Sequence, residues 1–243
     1  TSASSAAGNA GAAATPPMTL GRYVSKFEVH YLEQPDGGSF DLLLDGIKVR
    51  TVASRASSKH LAVATVDAAD GEHQLEVHTL GNGEARFFGV ALERSAPGVV
   101  WDALGINGAR ARILDVNDDA HWAEALRRRD PALVVMQYGT NESEDTGYPF
   151  DQYESTLEAV LRQVRLALPQ SSCLVVGAMD RAGAGTGGLE TRPIIPRLVD
   201  AQRKIAARVG CGFWDTYASM GGSGSMGRWA KSTPKLGGGD LTH

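Results

Sequence analysis

ALVVMQYGTNESE, residues 132–144, carries an unbroken apolar run into Gly139, Thr140 and Asn141. A short apolar run closed by a glycine reads as a buried strand, because periodicity-free apolar stretches of this length belong to sheets covered on both faces. Two similar runs follow it: SCLVVGAM (172–179) and CGFWDTY (211–217). Amphipathic helices separate them. In FDQYESTLEAVLRQVRLALP (150–169), Tyr153, Leu157, Val160, Leu161, Val164 and Leu168 share one face. PRLVDAQRKIAARVG (196–210) is a second such helix, with Gly210 as its C-terminal cap. WAEALRRRD (122–130) precedes the first strand as a further helix. Helices alternating with continuous apolar strands predict an α/β unit with a parallel sheet covered on both faces.

Upstream the period changes to two. SKFEVHYLEQ (25–34) puts Phe27, Val29 and Tyr31 on one face, and SFDLLLDG (39–46) does the same with Phe40, Leu42 and Leu44. IKVRTVA, LAVATV, HQLEVHTL and ARFFGVALE continue the series, with turns expected at PDGG (35–38), Asp45-Gly46, DAADGE (67–72) and GNGE (81–84). Short alternating strands with such turns predict an antiparallel β-sandwich over 22–96. The α/β unit then spans 97–243, and the small-residue stretch 1–21 reads as linker or loop.

Bulk composition bounds the function. The 243 residues carry a net charge of −4 with both signs interspersed. No basic patch points to nucleic acid, and no apolar run reaches the ~20 residues of a membrane span. The opening residues lack the basic and apolar regions of a signal peptide, as a processed N-terminus also would. Cys173 and Cys211 sit at the starts of two strands. Neighbouring strands would permit a disulfide; otherwise the two are small buried thiols. The histidines at 60, 73, 78 and 121 lack metal-ligand spacing, so no metal and no cofactor is expected.

Ligands of a parallel sheet bind beyond the C-terminal strand ends. That rule selects Gly139–Asn141, Asp180-Arg181, and Asp215 with its glycine-rich loop. Asp180-Arg181 is either a loop-ordering or substrate contact or, more simply, a strand-end salt bridge. VVWDALGINGARA (99–111) adds Gly108, whose backbone N–H no bulky side chain would shield. With the Asn141 side-chain amide it makes a suitable pair of donors to an oxyanion. Asp240 and His243 stand in acid–base spacing at GGGDLTH (237–243). Trp101, Trp214 and Trp229 could stack on a sugar ring, but core or loop packing is the simpler reading. Tyr31, His30 and His78 could line a glycan surface, though an aromatic at period two is more commonly core.

LGINGARA (104–111), YGTNE (138–142) and DLTH (240–243) together resemble the second, third and fifth sequence blocks of the SGNH (GDSL-type) hydrolases, a flavodoxin-like, three-layer α/β/α family. The resemblance extends over about residues 22–243 to bacterial peptidoglycan O-acetylesterases, in which a β-sandwich similar to a family-35 carbohydrate-binding module lies between the first and second blocks. FEVHYLEQPDGGSFDLLLDG (27–46) resembles the start of that insertion, which adopts a jelly-roll-like fold. It implies that His243 is the general base and Asp240 its orienting partner. Gly108 (backbone) and Asn141 (side chain) would form the oxyanion hole. The expected partner is an acetylated glycan, and the expected location is the periplasm or the exterior of a bacterium. Family-35 modules often bind calcium, but no acidic cluster here compels it.

The Gly-Asp-Ser block of the family, which carries its nucleophile on the first strand, has no counterpart in Thr1–His243. Ser143, Ser223 and Ser225 lack the matching context, so the nucleophile is unknown within the chain. The serine is expected upstream of Thr1, with a final helix after His243, which would leave the 243 residues a weak catalyst or none and unstable in isolation. Two other readings share the sequence: a non-catalytic glycan-binding protein, and an O-acetyltransferase or acetylxylan esterase with the same chemistry.

Overall fold

The computed structural model of the chain describes residues 22–115, 119–145 and 147–241. The expected linker and His243 lie outside the described residues. The fold divides between Asp102 and Ala103 into two compact units.

The first unit is built from six strands: β1 (Val24–Glu33), β2 (Ser39–Leu44), β3 (Ile47–Ala53), β4 (His60–Gly71), β5 (Leu75–Thr79) and β6 (Phe87–Glu93). They form two antiparallel three-stranded sheets, ordered β4-β1-β6 and β3-β2-β5. Period-two alternation produces this arrangement, because every second side chain of β1 and β2 points to the same side. Phe27, Val29 and Tyr31 of β1 and Phe40 and Leu42 of β2 are buried in one shared core. The ring of Phe40 stands edge-on to Tyr31 at 5.1 Å and to Phe87 at 4.9 Å, so both sheets contribute to it. One expected turn is corrected. DAAD (67–70) continues β4 to Gly71, because β1 supplies ladder partners down to Val24, opposite Gly71.

The second unit begins with α1 (Arg112–Asp115), α2 (Asp119–Arg129) and β7 (Leu133–Gln137). A short 3-10 turn, Glu142–Glu144, leads to α3 (Phe150–Ala167) and β8 (Ser172–Val176). A hairpin of β9 (Ala182–Gly185) and β10 (Gly188–Thr191) follows, then α4 (Ile194–Val209), β11 (Gly212–Trp214), α5 (Thr216–Ser219) and α6 (Ser225–Lys231). The expected apolar stripe of α3 is buried throughout, and Gly210 closes α4 in the left-handed conformation.

The three runs expected as strands form one parallel sheet, ordered β11-β8-β7. Cover on both faces is not what the residues show. Cys173 and Val175 are buried beside α3 and α4, whereas Leu174 and Val176 are half-buried and Leu133 is exposed. The described helices α3 and α4 supply the core of one face, so burial alternates along β8. The cysteines are joined: Cys173–Cys211 is a disulfide with a Cα–Cα distance of 4.7 Å. Neighbouring parallel strands bring their starts together. The β9–β10 hairpin was not expected, because AGAGTGGLET (182–191) has too few large side chains to show a period.

Register sets the level of the site. Gln137 pairs with Val176, and Val176 with Trp214, so the three strands end together. Their following loops therefore share one edge of the sheet.

Candidate active site

Gly139 is the first residue to turn away from the sheet edge after β7. Its φ is +124°, and a Cβ there would lie 2.6 Å from the Ala178 Cβ and 2.9 Å from the Gln202 Nε2. Only glycine satisfies both the dihedral and the space. Gln202, buried on α4, ties the two strand ends together: its Nε2 donates to Tyr138 O at 2.7 Å and its Oε1 accepts from Ala178 N at 2.9 Å.

The turn that begins at Gly139 presents Asn141. The Asn141 Nδ2 donates to Ala109 O at 2.8 Å. This bond spans 32 residues and joins the GTN turn to the GINGA turn, where Ala109 N donates to Ile106 O at 3.0 Å. Gly108 occupies that turn with φ +76°, and no atom lies within 4 Å of where its Cβ would be. Its N–H has no acceptor among the described residues. The side-chain amide of Asn141 and the backbone of Gly108 thus stand on adjacent turns. Such a pair can donate to an oxygen that becomes negative during acyl transfer.

Glu142 lies beneath both turns. Its Oε1 accepts from Ala111 N at 2.7 Å and its Oε2 from Gly139 N at 2.8 Å. Tyr138 and Tyr153 face the same region. Burial first, and then the Glu142 carboxylate, holds both phenols above their usual range. Arg181 reaches the turn from β8's side. Its guanidinium donates to Thr140 O at 3.1 Å and Ser143 Oγ at 3.0 Å, and it pairs with Glu144. Arg181 thus makes a strand-end salt bridge, with Glu144, and the same guanidinium orders the neighbouring loop. Asp180 is buried and instead accepts from Ser225 Oγ at 3.1 Å and Met226 N at 2.8 Å.

Two of the serines considered as nucleophiles are committed. Ser143 is buried and donates to Thr140 O at 2.6 Å, and Ser225 is fully buried against Asp180. Asp215 caps α5 by accepting from Ala218 N at 2.8 Å. Asp240 is exposed. Ala182 N donates to Leu241 O at 3.2 Å, which ties Leu241 to the start of β9. The expected pairing of Asp240 with His243 lies outside the described residues. Trp101 and Trp214 are 71% and 56% exposed, against the expectation of packing, while Trp229 packs beside Met226. Tyr31 is core, as its period implies. Among the described residues no group of three or more His, Cys, Asp or Glu could hold a metal ion.

Comparison with protein families matches residues 67–234 to the GDSL-like Lipase/Acylhydrolase family. The chain belongs to that family. Among solved structures, a peptidoglycan O-acetylesterase is similar with a TM-score of 0.67 and 22% identity. The similarity covers 90% of this chain and 59% of that one, so the chain spans less than two thirds of its length. At that identity the likeness speaks to fold: this GDSL-like chain and the esterase share a mixed α/β architecture. A catalytic mutant of an acetylxylan esterase from Geobacillus stearothermophilus has a TM-score of 0.36 and 19% identity over 46% of this chain and 52% of that one. A family two carbohydrate esterase from Clostridium thermocellum has a TM-score of 0.30 and 14% identity over 79% and 81%. No curated protein sequence matches.

In this GDSL-like chain, sequence reading missed Glu142 and Gln202. Glu142 follows Asn141 directly in the polar turn GTNESE, where its type gives no sign that it, and not Glu144, is the buried one. Gln202 sits on an otherwise apolar helical face between Leu198 and Ile205, where a polar residue needs a partner.

Proposed function

We propose that this chain is the oxyanion, base and glycan-binding portion of a serine esterase that removes O-acetyl groups from a cell-envelope or extracellular glycan, with peptidoglycan as the substrate. The observation that carries the reading is the Asn141 Nδ2 bond to Ala109 O, which sets the Asn141 amide beside the Gly108 turn in a GDSL-like chain. In this reading the two antiparallel sheets form a β-sandwich of the carbohydrate-binding-module kind, inserted between blocks of a flavodoxin-like, three-layer hydrolase domain. The proposed domains are a 1–21 linker, a 22–96 sandwich and a 97–243 hydrolase part, while the compact units divide six residues later, between Asp102 and Ala103.

The nucleophile is a serine outside Thr1–His243. His243 takes its proton as it attacks the acetyl carbonyl, and Asp240 orients the imidazole and stabilises its charged form. The tetrahedral oxyanion is held by the Gly108 N–H and the Asn141 amide. Collapse breaks the bond to the sugar oxygen, which takes the proton from His243 and leaves as a hydroxyl. Water then attacks the acetyl-enzyme by the same route and releases acetate. An extracytoplasmic location is supported by the Cys173–Cys211 disulfide, since such bonds persist in oxidising compartments. No described helix is long and apolar enough to cross a membrane.

One specific observation favours a second reading. With the Ser143 and Ser225 hydroxyls committed, the described residues would also suit a glycan-binding protein on a non-catalytic scaffold. Labelling the full-length protein with a fluorophosphonate, followed by peptide mass spectrometry, separates the two. A labelled Gly-Asp-Ser peptide supports the esterase; absent label with acetylated glycan still bound supports the binder. In the unlabelled full-length protein, Asn141→Ala should lower acetate release by about 10²–10³-fold while glycan binding stays unchanged.

A further inference from the structure

An anion beside an oxyanion site raises the energy of the charge that develops there, so a buried carboxylate next to Asn141 needs a compensating role. Glu142 is 7% exposed. Among the described residues it has no ion-pair partner. Both of its oxygens are instead taken by backbone N–H groups, and the two come from different loops. Ala111, three residues past Gly108, donates to Oε1 at 2.7 Å; Gly139, two residues before Asn141, donates to Oε2 at 2.8 Å.

We infer that Glu142 is a positioning residue that locks the Gly108 turn to the Asn141 turn, so that both donors reach the oxyanion as one rigid unit. This rests on the esterase reading given above. Side-chain ion pairs also link the two segments: Arg110 donates to Asp145 Oδ1 at 2.7 Å and Arg112 to Asp145 Oδ2 at 2.8 Å, three residues beyond Glu142. The Asn141 side chain adds one bond between them, but that group must also serve the oxyanion. Arg181 grips the Asn141 turn from the opposite side through Thr140 O and Ser143 Oγ, and does not reach the Gly108 turn. Glu142 is thus the side chain that holds the backbone of both turns directly without being a donor, whereas the pairs of Arg110 and Arg112 with Asp145 join them side chain to side chain. A carboxylate is required because both oxygens must accept. A glutamine of the same shape would turn an N–H₂ toward one backbone N–H, leaving two donors face to face.

The test uses the full-length protein with 4-nitrophenyl acetate as the probe. Glu142→Gln should lower kcat per labelled serine by about 10²-fold, comparable to loss of one donor, with KM within about twofold of wild type. Counting active sites by fluorophosphonate removes the contribution of misfolded protein, so a merely structural role would leave that kcat unchanged. Unchanged kcat in Glu142→Gln, where Asn141→Ala is impaired, overturns the proposal and leaves the esterase reading standing. Backbone amide hydrogen exchange gives an answer without turnover and without any variant. In the wild type, the Ala111 and Gly139 amides should be protected to the same degree and open together. Independent exchange at unequal rates overturns the lock. If the wild-type protein neither labels nor hydrolyses the probe, the esterase reading fails and the catalytic role of Glu142 fails with it, while common opening would still establish the lock.

Discussion

Single atoms decide the geometry around Gly139. The φ of +124° and the two contacts inside van der Waals distance leave no room for a methyl group. Gly139→Ala should destabilise the second unit by about 2 kcal/mol or more, because backbone strain and overpacking add. Urea unfolding checks this, and a midpoint equal to wild type would refute it. His73 decides another local feature. Its Nδ1 lies 2.7 Å from Asp45 Oδ2 and its Nε2 lies 2.7 Å from Ala69 O. Both partners are acceptors, so both nitrogens bear hydrogen only in the imidazolium. The Asp45 carboxylate first, then the Ala69 carbonyl, raises the pKa of His73. Asp45 is lowered, by Gln74 N–H first and then by His73. The signs follow by linkage. The His73 contribution is complete below the ordinary histidine value of about 6.5 and is lost as pH rises through the raised value. The Asp45 contribution is present above the ordinary value of about 3.9 and is lost as pH falls through the lowered one. NMR titration of the His73 ring should give a midpoint above that of a free histidine, and His73→Ala should remove the alkaline fall in stability of the first unit. A midpoint at or below the ordinary value would contradict the doubly bonded ring.

At the scale of elements, the parallel sheet is short, and its ends are tied by side chains. Gln202 joins the exits of β7 and β8, and the disulfide joins β8 to the residue before β11 across 38 residues of sequence. Closing a loop of that length removes entropy from the unfolded chain, a contribution of about 4 kcal/mol in the chain-entropy account. Reduction with dithiothreitol should lower the denaturant midpoint of the second unit accordingly, and leave the six-stranded unit unaffected. The helices α3 and α4 were legible because their apolar residues recur at helical period. The β9–β10 hairpin was not, since glycine and alanine carry little pattern.

At the scale of the whole molecule, the two units differ in how they gain their cores. The core of the first draws on residues from Val24 to Val77, with the Phe87 ring against Phe40, all within the first unit. Residues 22–102, expressed by themselves, should therefore unfold in one cooperative transition by circular dichroism with urea. A gradual, non-cooperative change would show that the core needs the second unit. The same division of labour separates the proposed roles: sheets with a self-contained core suit glycan binding, and the edge of the parallel sheet suits chemistry.

The sequence by itself determined the strand and helix periods, the antiparallel and parallel halves, and the turns that carry Gly108 and Asn141. Those properties are local, written in spacings of two to four residues and in glycines that a turn requires. Only the tertiary structure decided that Asn141 meets Ala109, that Glu142 binds two loops, that Arg181 leaves Asp180 for the neighbouring loop, and that Cys173 and Cys211 pair. Each of these joins groups far apart in the chain, and three of the four use backbone N–H or carbonyl groups, which every residue possesses and no residue type announces. Strand register brought those groups to one level, and hydrogen-bond distance then selected the partners.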